Sequence, residues 1–248
     1  MRRLFLSIAK DEELRFLGHL DLLRTLERVV MRSGLIATFS EGFNPHMRIA
    51  LDAALGVGVA CNPLYIELRI ESGERLSEIQ EKLSAACPSG IRIHTVVEAA
   101  PEWPKLINFL NEDCYEAEGP VCGSISGDVV TEKLAEFHAE EKVLYERVTP
   151  KKTRIIDVKT ILTAPVEIEI TKDRAYLRFS MLRTATGSVQ PRDLWKLFAE
   201  RYGMPWTPGE FVCRRTGVFH LEAGKRTTPL DPDVFSSKIV PTGKREIK

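Results

Sequence analysis

Leu64-Tyr65-Ile66-Glu67-Leu68-Arg69-Ile70 places Leu64, Ile66, Leu68 and Ile70 at every second position, with Tyr65, Glu67 and Arg69 between them. A period of two puts the aliphatic set on one side of an extended chain, which predicts a half-buried strand. Downstream, Leu76, Ile79, Leu83 and Ala86 form the apolar stripe of a helix over about 76–86, which Pro88-Ser89-Gly90 ends. Ile91 to Val97 then reads as a strand. Upstream, residues 2–9 have strand composition. Leu22, Leu23, Leu26, Val29 and Val30 fall on one arc of a helix over about 20–33, with Gly34 at its end. Residues 48–60 are apolar but interrupted by Gly56 and Gly58, which predicts a bent or bulged strand. The resulting order, β-α-β-β-α-β, is the split βαβ pattern of ferredoxin-like domains.

The order recurs. Residues 114–119 predict a short strand, and 128–147 a helix with Asp128 as N-cap. Residues 154–161 predict a strand, and 166–170 with 175–181 a hairpin around Lys172-Asp173. A helix runs from Pro191 to Gly203, and 211–220 is a last strand. The expected fold is therefore α+β, with two ferredoxin-like (split βαβ) domains in tandem. Residues 1–100 form the first, 108–222 the second, and 223–248 a short C-terminal tail.

The chain of 248 residues has 44% hydrophobic and 28% charged residues and a formal net charge of +0. These values fit a globular protein, and a balanced charge leaves nucleic-acid binding to local basic patches. The five cysteines are scattered, with no Cys-x-x-Cys pair, which argues for reduced thiols in a cytoplasmic protein. Met1-Arg2-Arg3-Leu4-Phe5-Leu6 starts like a signal peptide, but Lys10 and Asp11-Glu12-Glu13 end the apolar stretch too early. No run reaches the length of a membrane span.

Two clusters can carry chemistry. The first is Arg15-Phe16-Leu17-Gly18-His19-Leu20-Asp21; the second is Ser40-Glu41-Gly42-Phe43-Asn44-Pro45-His46. His19 and His46 are candidate general acid/base groups. Pro45 keeps Asn44 out of helical space, so Asn44 can offer its amide to a base edge or a carbonyl. Phe43 offers either a stacking surface or a core plug. Arg24, Arg28 and Arg32 share a helix face with Asp21 and fit either phosphate binding or a solvated surface. His19 and His46 lack an evident third partner, so no metal site and no cofactor is expected. Lys151, Lys152 and Arg154 form a basic cluster entering a strand. Arg183 and Ser188 belong to a Gly- and hydroxyl-rich segment before a helix N-terminus, where anion binding and ordinary capping are both open. Arg214-Arg215 adds a further basic element.

The two clusters, with Thr186-Gly187-Ser188-Val189-Gln190-Pro191 and Arg215-Thr216-Gly217, resemble the bacterial radical SAM-linked protein family, over roughly residues 1–230. Met47 stands where that family's pattern has a second proline. The resemblance implies a radical SAM protein as partner. The chain itself lacks the Cys-x-x-x-Cys-x-x-Cys that such an enzyme needs. It also implies a link to RNA, since members are often encoded near RNA-processing genes.

The leading expectation is an accessory subunit that binds or presents tRNA or rRNA to a radical SAM enzyme, through Arg15, Asp21, Arg24, Arg28, Ser40, Phe43, Asn44, Lys151, Lys152, Arg154, Arg183 and Ser188. The alternatives are a metal-independent endoribonuclease using His19 and His46, and a protein-docking scaffold. All rest on one piece of geometry: Asn44 and His46 returning to the neighbourhood of His19 and Asp21.

Overall fold

The computed structural model describes residues 1–123, 127–149, 152–184 and 189–231. It is a mixed α/β structure built on one ten-stranded mixed sheet. In the first half the strands are β1 (Arg2–Lys10), β2 (Ile36–Ala37), β3 (Ile49–Leu51), β4 (Val59–Glu71) and β5 (Ile91–Glu98). Its helices are α1 (His19–Arg32) and α2 (Leu76–Ala86). After a single helical turn, α3 (Leu106–Phe109), come β6 (Glu112–Pro120), α4 (Gly127–Ala139) and a two-stranded ribbon of β7 (Leu144–Thr149) and β8 (Lys152–Asp157). Then follow β9 (Glu167–Ile170), β10 (Arg174–Leu182), α5 (Pro191–Arg201), β11 (Val212–Glu222) and β12 (Lys225–Thr227).

The principal strands lie in the order β5-β1-β4-β11-β6-β10-β9, and β2 and β3 pair with β4 beyond its contact with β11. Within each half the middle pair is formed by the first two long strands, antiparallel, β1 with β4 and β6 with β10, with one helix between them in the chain and one after. The halves meet where β4 and β11 run parallel, Val59, Ala60 and Cys61 opposite Cys213, Arg214 and Arg215. The strands of both halves therefore belong to a single sheet.

The alternation read in 64–70 holds over a longer element. Leu64, Ile66, Leu68 and Ile70 are buried with Leu4, Leu6 and Ile8 of β1 beneath α1 and α2. Trp195, Leu194 and Phe198 of α5 cover Ala117, Leu177 and Phe179 in the second half. In-register strand neighbours point to the same side. The pairings Lys10–Cys61, Cys61–Arg215, Arg215–Tyr115 and Tyr115–Phe179 thus form one cross-strand row, and both helix layers cover the face that carries it. The other face holds a smaller core of Phe5, Tyr65 and Val218 under Leu106 and Phe109 of α3.

Three segments differ from expectation. The strand expected over 48–60 is split: β3 ends at Leu51, and 52–58 leave the sheet as a loop before β4 begins. The helix expected over 128–147 stops at Ala139, and Leu144 to Arg147 belong to β7. There the alternation of Tyr145 and Arg147 with Leu144 and Glu146 pairs with β8 and overrides helical continuation. The expected tail begins with a strand, as Lys225–Thr227 pair with His220–Glu222 of β11.

Candidate functional site

The loop 52–58, the segment before α1 and the entry to α5 enclose a cleft of about 420 Å³ above the junction of β4 and β11. Its walls include Arg15, Phe16, Val57, Arg183, Pro191, Arg192 and Phe211; Asp113, Tyr115 and Arg215 lie at its base. Clefts of this size that combine apolar walls with a few converging polar groups are the usual form of a ligand site.

Four charged side chains are locked together there. Arg215 is fully buried. Its Nη2 donates to Asp52 Oδ1 at 3.2 Å and Oδ2 at 3.1 Å, and to the Pro63 carbonyl at 3.3 Å; Nη1 donates to Asp113 Oδ1 at 3.2 Å. Arg183 forks onto Asp113, Nε to Oδ2 at 2.7 Å and Nη2 to Oδ1 at 2.6 Å, and gives Nη1 to the Asp52 carbonyl at 2.9 Å. Burial alone lowers the Arg215 pKa, but Asp52 and Asp113 outweigh it and hold the guanidinium above its ordinary value. The same balance, against Asp113 first and then Asp52, raises Arg183. Two cations and two anions leave the base of the cleft near neutrality, so the charge available to a ligand comes from the rim.

At the rim, Phe16 is 65% exposed, and the Arg15 guanidinium sits 4.4 Å from its ring centroid. The Gly58 N–H donates to the Arg15 carbonyl at 2.8 Å, tying this segment to the cleft loop. Exposed Leu20 and Val57 extend the apolar edge. Arg192, at the start of α5, is exposed and lines the same cleft.

The expected meeting of the two clusters does not occur. His19 opens α1 beside the start of β4, since Arg15 is bonded to Gly58. Residues 39–47 instead leave the sheet edge as a hairpin where Thr38 and Arg48 bond to Arg69, near the other end of β4. The intervening strand rises roughly 35 Å at about 3.3 Å per residue. No hydrogen bond or ion pair joins His19 or Asp21 to Asn44 or His46 among the described residues. The physical reason is that β2 and β3 both pair along the far part of β4, so the chain reverses against the sheet edge and not back against the N-terminus of α1.

Each remaining candidate has a definite place. Ser40 closes the hairpin: its N–H donates to the His46 carbonyl at 2.8 Å, and its Oγ accepts the His46 N–H at 2.9 Å. Gly42, at φ 120°, makes the turn. Phe43 is fully exposed and is not a core plug; Asn44 and His46 are exposed beside it. Ser40 also borders a separate groove of about 280 Å³ with Arg69 and Lys105. Asp21 lies 3.8 Å from Arg24 on the outer side of α1, and Arg28 is exposed there too. Arg32 turns instead to the Ala86 carbonyl, at 2.9 Å. Arg154 stands opposite Arg147 on the ribbon, and Lys152 begins β8. Lys151 and Ser188 lie outside the described residues. Of the expected set, the cleft gathers Arg15 and Arg183.

Sequence reasoning missed Asp52, Asp113 and Lys10. The available signal was a charge inside an apolar strand pattern, because a charged residue that is fully buried requires a partner. Lys10 ends β1 and is 1% exposed; burial lowers its pKa, and Arg215 pushes it further down against Cys61. A depressed lysine pKa means that the unfolded chain binds the proton more tightly. Stability therefore rises with pH between the folded pKa and the ordinary lysine value. Lys10→Met is expected to be more stable than wild type at neutral pH by about 1–3 kcal/mol, the cost of an unsatisfied buried donor. The gap should narrow as urea melts are repeated toward pH 10.

Residues 3–191 match the model of a family described as "Uncharacterized protein conserved in bacteria (DUF2344)". The chain belongs to the DUF2344 family. No curated protein matches this DUF2344 member. Among solved structures it is similar to a Cbf5–Nop10–Gar1 complex, with TM-score 0.48, 11% identity, and coverage of 87% of this chain and 48% of that one. It is also similar to the archaeal box H/ACA sRNP Nop10–Cbf5 complex, with TM-score 0.44, 13% identity, and coverage of 86% and 46%. The chain spans about half the length of these structures. No described helix is long and apolar enough to cross a membrane.

Proposed function

We propose that this chain is a cytoplasmic RNA-binding accessory protein that holds an unpaired nucleotide in the cleft between its halves, for a radical SAM enzyme that modifies tRNA or rRNA. The carrying observation is the cleft rim: an exposed Phe16 backed by Arg15, both lining the same space of about 420 Å³ as exposed Arg192. Unstacked bases bind by stacking on such aromatic faces, while arginines hold the adjoining phosphates. Arg24 and Arg28 extend the basic surface along α1, and Arg154 of β8 offers a second contact, which Lys151 and Lys152 extend in the sequence. The radical SAM partner rests on the family resemblance. The strand pairing within each half supports reading residues 1–100 and 108–222 as two ferredoxin-like units that share a sheet, with 223–248 as an appendage.

Structured RNA should be retained in gel-shift assays at low salt, and retention should fall steeply as salt is raised. Phe16→Ala is expected to weaken binding by about 1–3 kcal/mol, the value of one stacked base. Absence of retention at low salt, or wild-type affinity in Phe16→Ala, refutes this assignment. A second reading, docking of the radical SAM protein, is favoured at the hairpin by the full exposure of Phe43. Phe43→Ala should then lose the partner in a pull-down while keeping RNA. The endoribonuclease alternative has no support from the separated His19 and His46.

A further inference from the structure

Two buried cations among the described residues have an open donor. Lys10 is 1% exposed, and its Nζ has no hydrogen-bond partner among the described residues. Arg215 is fully buried; its Nη atoms serve Asp52, Asp113 and Pro63, but its Nε has no partner either. The two belong to the same cross-strand row, with Cys61 between them. Paired strands lie about 5 Å apart, so both side chains rise from one small area of the sheet.

Among the described residues nothing nearby supplies the missing acceptor. Asp52 and Asp113 are engaged by Arg215 and Arg183. Burial raises the pKa of the Cys61 thiol, despite the opposing pull of Arg215 and Lys10, so it is not a standing anion. Lys10 and Cys61 line a cavity of about 460 Å³. Of the acidic residues at its edge, Asp11 is paired with Arg92 and Glu12 lies 3.6 Å from Arg214, while Glu13 is exposed. A buried donor without an acceptor is costly, and a second cation beside it adds repulsion.

We propose that the cavity lined by Lys10 takes a small oxyanion, a phosphate or carboxylate group, one of whose oxygens accepts from the open Lys10 donor, with the buried Arg215 charge in the same cross-strand row adding attraction from behind. The flexible lysine stem lines the cavity, so rotation about its terminal bonds brings the amine to the ligand. Both cations lie beneath the surface, which suits a free or terminal oxyanion and not the internal phosphodiester of a polymer. The site is thus independent of the RNA reading, and neither stands or falls with the other.

The test uses the full chain, with inorganic phosphate and acetate titrated separately at ionic strength held constant with chloride. Wild type should show a saturable rise in melting temperature and saturable heat in calorimetry. The anion that produces them tells phosphate from carboxylate. Lys10→Met should lose affinity about tenfold or more, as expected for a charge-assisted hydrogen bond, and Lys10→Arg should keep part of it. A wild type without saturable response to either anion overturns the proposal. So does a Lys10→Met protein that responds in parallel with wild type, which marks an adventitious ion only. Should Lys10→Met fail to fold, the wild-type calorimetry and Lys10→Ala decide: a flat wild-type isotherm, or an unchanged affinity in Lys10→Ala, overturns it.

Discussion

Arg215→Met is expected to destabilise the protein by about 3–5 kcal/mol, the range for breaking a buried ion pair from one side. The substitution keeps the length of the side chain but strips Asp52, which is fully buried, of its two hydrogen bonds from Nη2. Asp113 retains its fork from Arg183, whereas the Asp52 carboxylate keeps only a 3.5 Å contact with that residue. Burying a carboxylate with so little compensation is the dominant cost. For a chain of this size each kcal/mol moves the midpoint by about 2–4 °C, so thermal melts should fall by roughly 6–20 °C. Adding Asp52→Leu should return much of the loss, because removing both ends of a buried pair is far cheaper than removing one. A single-variant loss under about 1 kcal/mol in urea melts, or no recovery in the double variant, contradicts this account of the cleft base.

Trp195→Ala should cost a similar amount, about 3–5 kcal/mol. Trp195 is fully buried under α5; its ring stacks on Trp206 at 4.5 Å and on Phe211 at 5.6 Å between centroids. Its Nε1 donates to the Thr207 carbonyl at 3.0 Å, and its own carbonyl accepts from Trp206 Nε1 at 3.0 Å. The ring is seated on Gly119 of β6, where a Cβ would stand 2.7 Å from Trp195 Cζ2 and 2.3 Å from the Glu210 carbonyl oxygen. Truncation thus opens a cavity at the contact between helix and sheet, and Phe211, a wall of the cleft, loses its support. Trp195→Phe keeps most of the packing and should lose about 1 kcal/mol, for the hydrogen bond. Unfolding followed by near-ultraviolet circular dichroism separates the two variants.

Periodicity located α1, α2, β5 and the hairpin of β9 and β10 because each has one face buried and one wet, which is what makes a period visible. The end of α4 was misread because Leu144-Tyr145-Glu146-Arg147 satisfies short stretches of either period; its pairing with β8 decides. The candidate site divides along the same line. Arg15 and Arg183 were found because arginines beside glycines and hydroxyls stand out in a sequence. Asp52 and Lys10 were not, because their meaning depends on residues far along the chain: Asp52 and Arg215 are 163 positions apart. The pairing of Asn44 with His19 failed for the reverse reason. Nearness in sequence suggested a meeting that the length of β4, 13 residues, prevents.

Among the described residues β11 is the last long strand to leave the ribosome, yet it supplies Arg215 and closes the parallel contact with β4. Domains generally condense in order as they emerge. The first hundred residues can assemble their own helix layer while the margin at Val59–Cys61 waits uncovered and Lys10 lacks the Arg215 guanidinium. The chamber is finished only when β11 arrives, so a nascent chain stopped short of it lacks the Arg215 part of the floor.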